Sequence, residues 1–295
     1  MKTLILRIVG GYLTYFLAIG LVFGGIALLG TTDAVTNDPV GRMIAQLVLA
    51  LVSSTLILLY GQLWGGVPVR QIGFGFTGRD LLVGGAAMMV TVALAWLYMS
   101  TLGWTGNQSH SVIWPSLGIF AIGLIGEFGA LHEEVESRGY FFTLLKQPYG
   151  VAWALFLSAL LFMLGHIPFK GVDWMLIANF FGGIGFGYLY LKSGSLWVAL
   201  MAHAAHNLAT DLFFTGTNNG VSVGIALFHF NNKLTLAQRL PYDAILMLLM
   251  IAVAYVGYGW GSRFFAPSPR LARRWNAATN GGAEHLVGER PVVPA

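Results

Sequence analysis

Cysteine is absent from this chain, and with it go disulfides, thiolate nucleophiles and Cys-ligated metal sites. The absence leaves the redox compartment open. Charge is nearly as scarce: 9% of the residues are Asp, Glu, Lys or Arg, against roughly a quarter in soluble domains, so there is too little polar surface to coat a globule in water. Basic runs interleaved with aromatics are also missing. The net charge of +4 owes much to an Arg-rich segment near the C-terminus, and binding of nucleic acid has no support. No fixed-period repeat is visible, and no composition shift marks a second domain.

What the chain does have is hydrophobic length. A spanning helix needs about 20 mostly apolar residues, and three uncharged stretches of that kind open the sequence: Ile8 to Leu29, Met43 to Trp64 and Leu81 to Leu102. Five more apolar segments are shorter or interrupted: Ile113 to Leu131 carrying Glu127, Val151 to Gly165, Trp174 to Leu191, Leu196 to Thr210, and Ala244 to Ser262. The expected fold is an all-α, multi-pass integral membrane protein of about eight transmembrane helices. Lys2 and Arg7 precede the first segment as in a signal peptide, but its apolar part is too long for one and is expected to be retained. With the N-terminus inside, only Arg42, Lys170, Lys233 and Arg239 of the sixteen basic residues fall on the outer side, which predicts both termini in the cytoplasm. Residues 1–264 read as one membrane domain. Residues 265–295, with Pro267, Pro269, Arg273, Arg274 and Gly281, read as a polar, disordered tail whose arginines meet anionic headgroups. The one long loop, Asp211 to Asp243, is rich in turn-forming Asn and Gly.

Three polar clusters interrupt the apolar segments. The first is His132, Glu133, Glu134, Val135, Glu136, Ser137 and Arg138. Glu134 and Arg138 are four apart with the acid on the N-terminal side, the favourable order for a helical ion pair. Glu133 points about 100° away from them, free for other chemistry. The alternative is a set of charges at a helix end meeting the headgroups. The second cluster is Phe162 and His166, on one helical face at the end of an uncharged segment; a histidine there is either a proton-transfer group or a packed interfacial residue. The third is His203, His206 and Asn207. His203 and Asn207 share a face and present two neutral donors to one point, as an oxyanion hole needs, or else bond a neighbouring helix.

Metal chemistry has an incomplete pattern. The helical zinc signature needs a second histidine where Glu136 stands, so His-Glu-x-x-His is not present. His203 and His206, three apart, could still contribute to a zinc site built across helices, and no cofactor is expected. The run Phe180-Phe181-Gly182-Gly183-Ile184-Gly185-Phe186-Gly187 has Gly183 and Gly187 four apart, a device for close helix approach; without a following Lys-Ser/Thr it is no phosphate loop.

Taken in order, Glu133-Glu134-x-x-x-Arg138, Phe162-x-x-x-His166 and His203-x-x-x-Asn207 resemble the CAAX prenyl endopeptidase and bacteriocin-processing (Abi) family of membrane proteins. Gly183, Gly187 and Gly194-Ser195-Leu196-Trp197 fit the same pattern, and the resemblance covers about residues 115–210. It implies an eight-helix fold and glutamate-dependent peptide hydrolysis, with Glu133 and His166 activating a water and His203 and Asn207 stabilising the oxyanion. Glu134 and Arg138 would be a supporting pair. Family members cleave near the C-terminus of prenylated proteins, process peptides, or confer immunity to bacteriocins. The expected partners are thus the lipid bilayer and a peptide or lipidated protein. A non-catalytic immunity or scaffold protein is the alternative, and a transporter using the polar residues as a path is a third reading. The first motif departs from the family: Glu136 and Ser137 stand where apolar or aromatic residues are usual, and His132 is unusual. Glu136 either raises the proton affinity of Glu133 by like-charge repulsion or faces the headgroups.

Overall fold

The computed structural model describes residues 2–32, 38–104, 117–173, 176–213, 235–259 and 263–277. Every regular element among them is helical. Helix α1 (Lys2–Leu28) shows why a chain so poor in charge can fold. One of its faces carries Gly11, Tyr15, Ala18 and Val22, all buried, while Leu6, Leu13, Leu17 and Leu21 point outward and are exposed. Small residues and aromatics inward with leucines outward is the pattern of a helix solvated by lipid, where close backbone approach replaces the hydrophobic effect.

Helix α2 (Pro39–Tyr60) starts with Asp38, whose side chain accepts from the Gly41 N–H, and with proline at its first position; it runs on as a π-helical turn, Gly61–Gly65. Helix α3 spans Gly78–Trp104. The chain then passes through α4 (Leu117–Glu127), a 3-10 turn Phe128–Ala130, α5 (Leu131–Glu134) and a π-helical stretch Val135–Phe141 before α6 (Phe142–Gly165). Within α6 Gly150 leaves helical geometry at φ 76°, ψ 173° and breaks the run after Pro148. A short α7 (Ile167–Lys170) precedes α8 (Leu176–Ser193) and α9 (Leu196–Phe213), and α10 (Leu236–Ala254) ends in a π turn, Tyr255–Gly259. The main packing pairs are α9 with α3, α10 with α8, α6 with α8, and α1 with α2.

Five of these stretches are long and apolar enough to cross a membrane: Lys2–Leu28, Val40–Gly65, Gly78–Thr101, Ala121–Gly165 and Leu236–Gly259. Four coincide with the expected first, second, third and eighth segments. The expected fourth and fifth fall on the single run Ala121–Gly165, which Gly150 divides. The sixth and seventh fall on α8 and α9, 18 residues each. At ~1.5 Å per residue these reach only about 27 Å, and their Asn179, His203, His206 and Asn207 dilute the hydropathy.

Two boundaries differ from expectation. Helix α10 begins eight residues ahead of Ala244, because Thr235 and Gln238 form a capping box that starts the helix at Leu236. The segment after residue 264 also carries regular structure. Residues 269–277 are helical, with Leu271 and Trp275 buried four positions apart. On the other face Arg270 makes two bonds to Asp80 (2.6 and 2.9 Å) and Arg274 donates to the Gly194 carbonyl at 2.7 Å. Lys192 donates to the carbonyls of Arg263 and Ala266. Two of the arginines assigned to the headgroups therefore clamp the chain end to α3 and to the α8–α9 turn, where Gly194 takes φ 68°. The rest of the expected tail lies outside the described residues.

Candidate active site

Glu133 and Glu134 lie midway along the helical run from Leu117 to Tyr149, not at a helix end. That run changes winding four times around them, from α to 3-10 and back before Leu131 and from α to π and back after Glu134. π turns carry an extra residue per turn and recur at functional sites because they re-aim side chains. Here they send the two neighbouring carboxylates to different surroundings. The Glu134 side chain is fully buried, whereas that of Glu133 is 21% exposed and faces a cavity.

Glu134 is held on two sides. Its Oε1 is 3.0 Å from an Arg138 guanidinium nitrogen and 2.7 Å from His203 Nδ1. The ion pair is the one the i, i+4 spacing predicts. The bond to His203 spans from α5 to α9 and has no local sequence signal. Arg138 is itself enclosed: its guanidinium carbon sits 4.6 Å from the Phe162 ring centre and 5.6 Å from that of Phe186, and it donates to the Gly183 carbonyl at 3.3 Å. Gly183 makes that approach possible, since a Cβ there would lie 2.8 Å from Ala159 Cβ. Gly187 faces Leu155 in the same interface, so the expected packing role of these glycines is the observed one between α8 and α6.

Around Glu133 three imidazoles converge. Nε2 of His166 and of His203 are 3.8 and 3.9 Å from Oε2, and Nε2 of His132 is 3.9 Å from Oε1. In each ring Nδ1 is bound to an atom that only accepts: the carbonyls of Phe162 (2.8 Å) and Gly129 (2.7 Å), and the Glu134 carboxylate (2.7 Å). Nδ1 therefore carries the hydrogen, and in the neutral ring Nε2 presents a lone pair toward Glu133. This alters the reading of His203 as a neutral donor: its Nε2 donates only when the ring is doubly protonated. The Asn207 amide needs no such condition. Ring packing fixes the geometry, with His203 stacked on Phe186 at 4.9 Å, His166 edge-on to Phe162 at 4.8 Å, and His132 stacked on Tyr15 of α1 at 5.6 Å.

Glu133, His166, His203 and Asn207 all line one cavity of about 440 Å³. Its polar wall also includes Gln46, Glu127, Asn179, His206 and Arg239, while Ile19, Phe23 and Leu49 form an apolar side. Of these polar residues only His206 was a candidate site residue in the sequence; Glu127 stood out there as a charge in an apolar segment, and Asn179, Gln46 and Arg239 come from helices whose mutual packing no local pattern reveals. His206 stacks on Tyr242 of α10 at 6.1 Å. Among the described residues no group of three or more His, Asp or Glu side chains is spaced to hold a metal ion. Glu136 does not face outward as a headgroup partner would: it is 6% exposed and lies beside Glu133.

Residues 112–209 match the family described as type II CAAX prenyl endopeptidase Rce1-like. The matched region is about a third of the chain, contains all three motifs, and agrees with the resemblance they carry. No curated protein matches the chain. A membrane peptidase family and five long apolar helices together make this an integral membrane protein.

Proposed function

We propose that this chain is an intramembrane endopeptidase that hydrolyses a peptide bond near the terminus of a membrane-associated protein or peptide. The observation that carries the reading is the meeting of Glu133, His166, His203 and Asn207, from three separate helical segments, on one cavity. Glu133 and the Nε2 lone pair of His166 take a proton from a water between them. The resulting hydroxide oxygen attacks the scissile carbonyl carbon. The developing oxyanion accepts from the Asn207 amide and, in the protonated ring, from His203 Nε2; placed donors of this kind are usually the largest single contribution to such catalysis. As the tetrahedral intermediate collapses, the proton held by the Glu133 and His166 unit passes to the leaving amine nitrogen. Glu134 touches no reacting atom; it positions His203 while Arg138 balances its charge.

The apolar side of the cavity, Ile19, Phe23 and Leu49, supports a substrate whose scissile bond lies close to a hydrocarbon chain, such as a prenylated cysteine near a C-terminus. The Lys and Arg distribution supports both ends of the membrane domain facing the cytoplasm. An internally quenched peptide with a farnesylated cysteine near its C-terminus, given to the purified full chain in detergent, tests the reading. Glu133→Gln should lower kcat by about 10²–10⁴-fold, the contribution of a positioned acid or base. Cleavage by Glu133→Gln at the parent rate would overturn the assignment.

A further inference from the structure

A second, much smaller cavity of about 10 Å³ lies beside the first, lined by Tyr15, Glu133, Glu136, Ser137, His166 and the rings and aliphatic groups of Phe141, Leu161 and Phe162. That volume is about one water, and a buried water needs two to four polar partners. Glu136 provides the independent observation. It is 94% buried, and its Oε1 has no hydrogen-bond partner among the described residues. Leaving a buried polar atom without a partner is costly, so a carboxylate oxygen in that state on the wall of a water-sized space points to a ligand. Wall chemistry selects a water over a metal ion, since aromatic and aliphatic groups make up much of the lining. The other titratable groups facing Glu136 are Tyr12 and Tyr15 of α1, His166 at the end of α6 and, on its own helical run, Glu133. The Tyr12 hydroxyl is already donated to the Leu161 carbonyl at 2.5 Å.

We infer that Glu136 holds one water in this cavity and, through it, shares a proton with Glu133, so that the base of the hydrolytic reaction is a carboxylate pair bridged by water. Two carboxylates this close in a buried site do not both ionise. In the resting pair the proton sits on Glu136, which donates through the water and leaves Glu133 as the carboxylate. During attack Glu133 gains the proton of the nucleophilic water and the pair holds two. One then leaves with the amine nitrogen, and the pair returns to its resting state with no other reactant consumed. Glu136 is thus a positioning residue, acting through Glu133.

This inference rests on the peptidase reading, and two measurements separate their fates. With the farnesylated quenched peptide, Glu136→Leu, which removes the donor and fills the cavity, should lower kcat about tenfold to a hundredfold with KM unchanged, less than the loss of the base itself. Glu136→Gln cannot share an ionisation with Glu133, so the acidic limb of kcat against pH, set in the parent by two coupled ionisations, becomes that of one. Infrared difference spectra of the purified full chain across pH, in H2O and D2O, need no substrate: subtracting the Glu136→Gln titration from the parent's removes the carboxyls common to both, and the parent should show one uptake step that Glu136→Gln lacks. Parent kcat in Glu136→Leu, or an unchanged acidic limb or infrared titration in Glu136→Gln, overturns the inference. Should Glu136→Leu lose its cooperative unfolding transition, the Glu136→Gln measurements decide. Failure of the parent to cleave the peptide counts against the peptidase reading alone, because the infrared difference still reports the pair.

Discussion

Arg138 is 1% exposed, yet it lies in a chain segment that lipid would otherwise surround. A guanidinium tolerates that position only through its carboxylate, its two phenyl neighbours and the Gly183 carbonyl. Removing one partner should therefore cost more than the pair itself contributes. Glu134→Gln is expected to lower unfolding free energy by about 3–5 kcal/mol, read from denaturant or thermal unfolding in detergent, and to reduce kcat because His203 loses its charged anchor. Glu134→Leu combined with Arg138→Met should recover part of the stability and none of the activity, the non-additivity expected of residues in contact. At this scale the sequence was legible where interactions are local. The pair Glu134 and Arg138 follows from a spacing of four. The bond from Glu134 to His203 crosses 69 positions, and only the packing of α9 against the motif helix creates it. The unusual residues His132 and Glu136 could be marked in the sequence, but whether they turned toward Glu133 depended on winding, not on residue type.

Winding is a property of the element, and hydropathy does not report it. The apolar pattern from Ala121 onward identifies a helix correctly. It does not distinguish i→i+4 from i→i+5 bonding, so the 3-10 and π turns that aim Glu133 into the cavity were not legible. Helix approach was legible, because Gly183 and Gly187 state it directly. Gly183→Val should force α8 away from α6, since its Cβ already has Ala159 atoms at 2.8 and 2.9 Å. Overpacking of that kind costs roughly 1–3 kcal/mol. Because the Gly183 carbonyl is also a partner of Arg138, the measurable outcome is a lower Tm together with reduced cleavage, and Gly118→Val, where a side chain meets nothing within 4 Å, should change neither.

Across the whole molecule, five stretches are long and apolar enough to cross a membrane, and polar residues of the site lower the apolar signal on α8 and α9, so the chemistry itself masks part of the membrane pattern. The chain end was misjudged for the opposite reason: its composition averages to a polar segment, although Leu271 and Trp275 form one buried stripe and Arg270 and Arg274 another face. Asp80 is fully buried and pairs with Arg270, Tyr258 and Thr77. Arg270→Ala should destabilise the protein by about 3 kcal/mol, the lower end for a broken buried pair because Arg270 stays partly exposed. Limited proteolysis should then cut within 263–277 at rates well above the parent's.

That clamp also sets an order of events during synthesis. Asp80 leaves the ribosome roughly ten to forty seconds before Arg270 at common elongation rates, so α3 enters the bilayer with a carboxylate whose partner does not yet exist. Synthesis of residues 263–277 is what supplies that partner. A nascent protein stalled or terminated before residue 270 would leave the Asp80 carboxylate without its guanidinium partner.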